Sequence, residues 1–137
     1  KAQKTLANAI QIGDPVSYKK AIKVLKEFNG IVEQATEDEL ANASAQSDRT
    51  GLFSCPHTGV ALAVLIKLLD KKEIKPHERV VVISTAHGLK FPEFKINYHE
   101  NRLEEVTPRF ANLPVEVPPQ YDAVRTAIYR KLEQASS

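Results

Sequence analysis

Two short junctions carry the residue types best suited to ligand chemistry: Cys55-Pro56-His57-Thr58-Gly59 and Ser84-Thr85-Ala86-His87-Gly88. The first places a thiol, an imidazole and a hydroxyl directly ahead of an apolar run, Val60 to Leu69. If that run is a helix, His57 and Thr58 lie near its N-terminus, where free backbone N–H groups attract anions. Gly59 permits close approach of another backbone. A helix cap supplied by Thr58 or Ser54 accounts for the same residues without any ligand. The second junction ends a β-branched run, Val80 to Ile83. A hydroxyl there, Thr85 above all, can donate to a ring nitrogen or anchor a ligand. A plain strand-to-loop turn is the competing explanation.

Other chemistries find less support. A cysteine–histidine nucleophilic pair needs both groups within hydrogen-bond reach, and Cys55 beside a proline behind an apolar stretch reads as a small buried residue. One cysteine, with no histidine pair at i, i+4, gives no zinc pattern. Neither GxGxxG nor GxxxxGKS/T occurs, so no nucleotide cradle is present.

The elements that must position these junctions follow from periodicity. Arg79 to Phe91 reads as a strand buried on both faces, as in a parallel sheet, with Thr85 at its ligand-side end. Ile31–Ala35 and Leu52–Ser54 are shorter strand candidates. Val16–Phe28 has helical spacing behind Asp14, a candidate N-cap, and Asn29-Gly30 stops it. Its lysines read as a solvated face rather than a phosphate site. Thr36 and Glu39 form a capping-box pattern opening a helix to about Asp48. After Phe91, prolines punctuate the chain. Lys95–Glu100 reads as a helical turn and Tyr121–Gln134 as a terminal amphipathic helix. The alternation of helix and strand predicts an α/β layered domain.

Composition bounds the rest. The 137 residues suit one domain or part of one, and a net charge of +2 with no basic–aromatic ladder argues against nucleic acid. The longest apolar run is interrupted by Lys67 and too short to span a bilayer. The sequence contains no methionine, which points to a segment excised from a longer chain.

Four strings then become recognisable in order: AIQIGDPVS at Ala9–Ser17, GIVEQATEDEL at Gly30–Leu40, GLFSCPHTGVAL at Gly51–Leu62 and VVISTAHGLKF at Val81–Phe91. Together they resemble the carboxyl-terminal part of threonine synthase of the plant and bacterial type. The resemblance runs from about Lys4 to Gln134. It implies a fold-type II pyridoxal-phosphate enzyme that converts O-phospho-L-homoserine and water to L-threonine and phosphate. It also implies a three-layer parallel-sheet segment. Residues 1–137 would then be a single partial domain, the carboxyl-terminal part of the cofactor-binding domain. Residues 92–120 would be a proline-rich irregular connection within it.

By the same resemblance Thr85 hydrogen-bonds the pyridine nitrogen, with Ser84, Ala86 and His87 on the cofactor side. Ile12, Gly13, His57 and Thr58 are the substrate-side candidates. A neutral hydroxyl partner does not enforce a protonated pyridine, and this moderates the cofactor as an electron sink. Relatives often carry Glu-Pro-x-Ser where this chain has Cys55 and Thr58. The lysine that holds the cofactor covalently and the glycine-rich phosphate loop belong to other parts of the family. None of Lys1, Lys4, Lys67 or Lys90 stands in that lysine motif, so the chain is expected to carry no catalytic residue and to be inactive alone. The expected partners are the remainder of the parent enzyme, a small-molecule substrate and a second copy in a homodimer. The expected compartment is the plastid for a plant source and the cytoplasm for a bacterial one. A free-standing non-catalytic remnant, acting as a binding or regulatory module, is the alternative.

Overall fold

The computed structural model describes residues 1–135. Its centre is a packed helix pair, α2 (Glu37–Asp48) and α3 (Pro56–Asp70). The capping box expected at Thr36 starts α2. The Thr36 hydroxyl accepts the Glu39 N–H at 3.2 Å, and the Glu39 carboxylate accepts the Thr36 N–H at 2.7 Å. The helix is rich in small side chains, and Leu40, Ala41, Ala43, Ser44 and Ala45 are all buried. Gly59 lets α3 come close. A Cβ at that position would lie 2.4 Å from the Leu40 carbonyl oxygen and 3.1 Å from Ser44 Cβ.

A third helix, α4 (Pro92–His99), completes the core with Phe94 and Tyr98 packed on Leu40, Ala41, Ala45 and Val106. Pro92 occupies its first turn, where a missing N–H costs nothing. Polar contacts tie the chain after α4 to α2. The Tyr98 hydroxyl donates to Asn42 Oδ1 at 2.8 Å and accepts the Phe110 N–H at 3.2 Å. Asn42 Oδ1 also accepts the Arg109 N–H at 2.9 Å, and Asp38 Oδ1 accepts the Thr107 N–H at 2.9 Å. The proline-rich stretch is therefore ordered by side chains of α2 as well as by its own helix.

The parallel sheet expected from the sequence is not formed among the described residues. The described residues contain no strand, and their single β-pairing is an isolated antiparallel bridge between Ser54 and His87. Ile31–Ala35, Leu52–Ser54 and the run after Arg79 are irregular apart from that bridge. Val81 is 90% and Ile83 75% exposed. A strand buried on both faces needs neighbours to accept and donate its backbone hydrogen bonds. The described residues provide none for Val80–Ile83, so β-branching yields an extended segment without a sheet.

Other boundaries shift for local reasons. Helix α1 (Tyr18–Glu27) begins after Ser17 without a side-chain cap bond, so Asp14 is not its cap. It ends as expected at Asn29, whose φ is 50°. The α1 helix buries none of its residues. Helix α3 starts at Pro56 rather than Val60, capped by Cys55 instead of Thr58 or Ser54. Helix α4 starts earlier than the turn expected at Lys95, and α5 (Tyr121–Ala135) closes the described chain. No helix among the described residues is long and apolar enough to cross a membrane.

Candidate functional site

The two junctions singled out by residue type meet in space. Their backbones join at the Ser54–His87 bridge, where the Cys55 N–H donates to the Ala86 carbonyl at 3.2 Å and the Gly88 N–H to the Phe53 carbonyl at 2.9 Å. Gly88 is needed at this crossing, because a Cβ there would lie 2.7 Å from the Phe53 ring.

A cluster of hydroxyls surrounds one sulfur above the bridge. Cys55 is 0% exposed, and its Sγ accepts the Thr58 N–H at 3.4 Å, which caps α3. The same sulfur lies 3.3 Å from Thr58 Oγ1 and 3.6 Å from Thr85 Oγ1. Thr58 Oγ1 is in turn 3.4 Å from Ser84 Oγ. Thr58 is buried, whereas Ser84 and Thr85 are exposed, so the cluster runs from the α3 N-terminus out to solvent. Burial pushes the Cys55 thiol up. Hydrogen bonds from the Thr58 side chain and backbone, Thr85 and His57 outweigh it and bring the thiol down to about 6.

The substrate-side candidates are placed around this cluster in different ways. His57 Nε2 accepts the Ala9 N–H at 2.9 Å, which holds the Ala9–Gly13 loop beside the start of α3. An accepting Nε2 leaves the proton of a neutral imidazole on Nδ1. The His57 ring also meets Phe91 edge-on, with centroids 5.0 Å apart. Ile12 is exposed, and Gly13 lies against the backbone of Lys1 and Ala2. On the other side, His87 Nδ1 accepts the Leu89 N–H at 3.2 Å and the ring sits 5.6 Å from Phe53. Ala86 contributes its carbonyl to the bridge.

Beneath the bridge lies an ionic cluster that residue patterns did not single out. Lys95 is 6% exposed, and its ammonium donates to Asp48 Oδ2 at 2.5 Å and Ser44 Oγ at 2.8 Å. It also stands 4.7 Å from the centroid of the Phe53 ring. Burial lowers the Lys95 pKa, opposed by Asp48 and by the charge of Cys55. The second Asp48 oxygen accepts the Ser54 N–H at 3.0 Å. Asp48 therefore couples the end of α2 and the α4 lysine to the strip that carries Cys55. The apolar neighbours of Lys95, Phe91 and Phe94, were the available signal, since a lysine between aromatics at helical spacing faces inward with them.

Comparison with known proteins supplies a family. Residues 1–86 match the family described as pyridoxal-phosphate dependent enzyme. "Threonine synthase 2, chloroplastic" of Arabidopsis thaliana is 51% identical over 133 residues, covering 97% of this chain and 26% of the relative. Threonine synthase of Methanocaldococcus jannaschii is 36% identical over 105 residues, 76% of this chain and 26% of the relative. That of Methanosarcina acetivorans is 34% identical over 128 residues, 93% of this chain and 29% of the relative. The chain thus spans between 26% and 29% of the length of these curated relatives.

Proposed function

The chain belongs to the pyridoxal-phosphate-dependent enzyme family, and from that membership we propose that it forms the ring-nitrogen side of the cofactor site of a threonine synthase. The whole protein then converts O-phospho-L-homoserine and water to L-threonine and phosphate. The observation that carries this reading is the Thr85 hydroxyl, exposed at the surface and backed at 3.6 Å by a buried sulfur.

The residues present suit part of the cofactor and not all of it. Thr85 offers a neutral, solvent-facing hydroxyl of the kind a pyridine nitrogen accepts from or donates to. The buried lysine does not suit covalent attachment, because Lys95 is spent on Asp48 and Ser44. Lys67 pairs with Glu39 at 2.7 Å, and Lys71 pairs with Glu33. When bound, pyridoxal phosphate supplies an electron sink for carbanions at the substrate α and β carbons. Thr85 orients the ring through its nitrogen, Ser84 lies beside it, and the α3 N-terminus fixes both from behind. His57 faces the substrate from that same helix end, and the buried Thr58 supports Ser84 from behind it.

Covalent attachment and the phosphate cradle come from the remainder of the parent enzyme, which is the chain's first partner. The exposed apolar side chains of Val81 and Ile83, and of Ile22 and Phe28 at α1, support this, since apolar side chains left open to solvent suit an interaction with another part of the protein. A homodimer of the parent and a plastid location complete the reading, the latter from the chloroplastic relative.

The test is a chimera. This chain replaces the matching segment of the full-length chloroplastic relative, and phosphate release from O-phospho-L-homoserine is followed. Turnover within tenfold of the relative is expected. Thr85→Val in the chimera should lower turnover more than it lowers cofactor occupancy. A folded, cofactor-loaded chimera without phosphate release overturns the assignment.

A further inference from the structure

We propose that His57 is a positioning residue whose Nε2 fixes the substrate-side loop Ala9–Gly13 against the start of α3. This deepens the reading of His57 given above, and it rests on the assignment of Ile12 and Gly13 to the substrate side.

The sense of the contact follows from the donor. A backbone N–H can only donate, so the Ala9 N–H at 2.9 Å makes His57 Nε2 the acceptor. The two residues are 48 positions apart, and no local pattern imposes their meeting. The amino-terminal segment is held to the helix pair at both of its ends. Glu37, at the start of α2, accepts the Leu6 N–H with Oε2 at 2.9 Å, and His57 takes the Ala9 N–H. Between these anchors Ala7 is fully buried. Beyond Ala9 the backbone bonds stay inside the segment. The Gln11 N–H donates to the Asn8 carbonyl at 3.1 Å, and the Ile12 N–H to the Ile10 carbonyl at 2.8 Å. Ile10 and Ile12 are exposed, so apolar packing does not hold the loop down. Among the described residues, His57 is the only side chain that hydrogen-bonds any residue from Ala9 to Gly13.

The ring is itself held in place. His57 stands in the first turn of α3, beside Pro56 and the buried Thr58, and meets Phe91 edge-on at 5.0 Å. Phe91 follows the Ser84–Gly88 junction through the short turn Gly88–Lys90. One imidazole thus ties the loop both to the helix end and to the stretch of chain that carries Thr85. Without this anchor the loop samples other positions, and a substrate that must first order it binds more weakly. The reacting atoms are untouched, so the loss falls on KM rather than on kcat.

Three variants separate the acceptor from the ring. His57→Phe keeps a ring against Phe91 and removes the acceptor. His57→Gln removes the ring and places an amide oxygen where Nε2 stands, whereas the amide of His57→Asn is too short to reach. Amide hydrogen exchange is followed in the 137-residue chain, with circular dichroism as the check of folding. In His57→Phe the Ala9 and Gln11 amides should exchange about fivefold faster, the size of one hydrogen bond, while Leu6, held by Glu37, should not change. His57→Gln should restore the protection. In the chimera, His57→Phe should raise KM for O-phospho-L-homoserine about fivefold and change kcat less, and His57→Gln should return KM toward the parent value. A merely structural role for the ring would give the reverse order, sparing His57→Phe and harming His57→Gln. Unchanged Ala9 exchange in a folded His57→Phe chain overturns the proposal, and so does a fall in kcat at unchanged KM. If His57→Phe fails to fold, equal Ala9 exchange in His57→Gln and His57→Asn overturns it as well. The exchange measurement contains neither cofactor nor substrate, so its failure leaves the chimera test untouched. A chimera that releases no phosphate overturns the ring-nitrogen reading, and exchange still decides the His57 anchor.

Discussion

Asp48 divides its carboxylate between two structural duties, holding the Lys95 ammonium at 2.5 Å with Oδ2 and the Ser54 N–H at 3.0 Å with Oδ1. The pair is nearly dry, with side chains 12% and 7% exposed. Removing one member leaves the other charged and buried. Asp48→Ala should therefore cost about 3 kcal/mol in denaturant unfolding. The double variant Asp48→Leu/Lys95→Met should cost less than Asp48→Ala alone, because no charge is stranded. A double variant at least as unstable as the single would show that the pair contributes through geometry and not through mutual charge.

Gly59 sets how close α2 and α3 can lie. The Cβ of an alanine there meets the Leu40 carbonyl oxygen, a backbone atom that moves only with its helix. Gly59→Ala is expected to destabilise by about 1–3 kcal/mol, despite the better helix propensity of alanine. Thermal unfolding checks it, and a rise in melting temperature would mean the helices separate freely.

Tyr98 supplies a hydroxyl that no apolar ring replaces. Tyr98→Phe strands the Phe110 N–H and takes from Asn42 Oδ1 one of its two donors, the Arg109 N–H remaining, and should cost about 1–3 kcal/mol. Hydrogen exchange at the Phe110 amide should accelerate more than exchange at Leu40. Burial raises the Tyr98 pKa above its ordinary 10.0. The folded state thus holds the phenolic proton longer than the unfolded one. Its contribution is present below pH 10 and is lost as pH climbs from there through the raised value, a loss that Tyr98→Phe should abolish.

Cys55 gives a second pH dependence of opposite sign. Its thiol falls from an ordinary 9.0 to about 6 on folding. Between those values the unfolded chain binds more protons than the folded one, so stability should rise with pH from about 6 to 9. Cys55→Ser keeps an oxygen acceptor for the Thr58 N–H and should flatten the rise. A slope that survives in Cys55→Ser would assign it to another group.

Local signals in the sequence were reliable where they were self-contained. The Thr36–Glu39 box and the Asn29-Gly30 stop each depend on residues a few positions apart, and each is found. The sheet is not formed among the described residues because pairing is not a property of Val80–Ile83 alone but of neighbours that the described residues do not include. In the candidate site Thr85 follows the β-branched run in sequence, and its hydroxyl stands 3.6 Å from the Cys55 sulfur. The capping role of that sulfur was not legible, because serine or threonine is the ordinary cap and both stood nearby. Lys95 was missed because a lysine is rarely buried without a partner, and its partner lies 47 residues away in sequence.

Helix α2 has a further consequence for how the molecule indexes itself. Its buried face is mostly alanine and serine, a nearly smooth cylinder that by packing alone could turn about its axis with little resistance. Asp38 and Asn42 prevent this by gripping Thr107 and Arg109, and Ser44 and Asp48 by gripping Ser54. A slip of one residue would swing the whole set by about 100° and release every grip together. The polar residues act as the teeth of a ratchet with a single seat, and the azimuth of α2 is set by hydrogen bonds rather than by bulk.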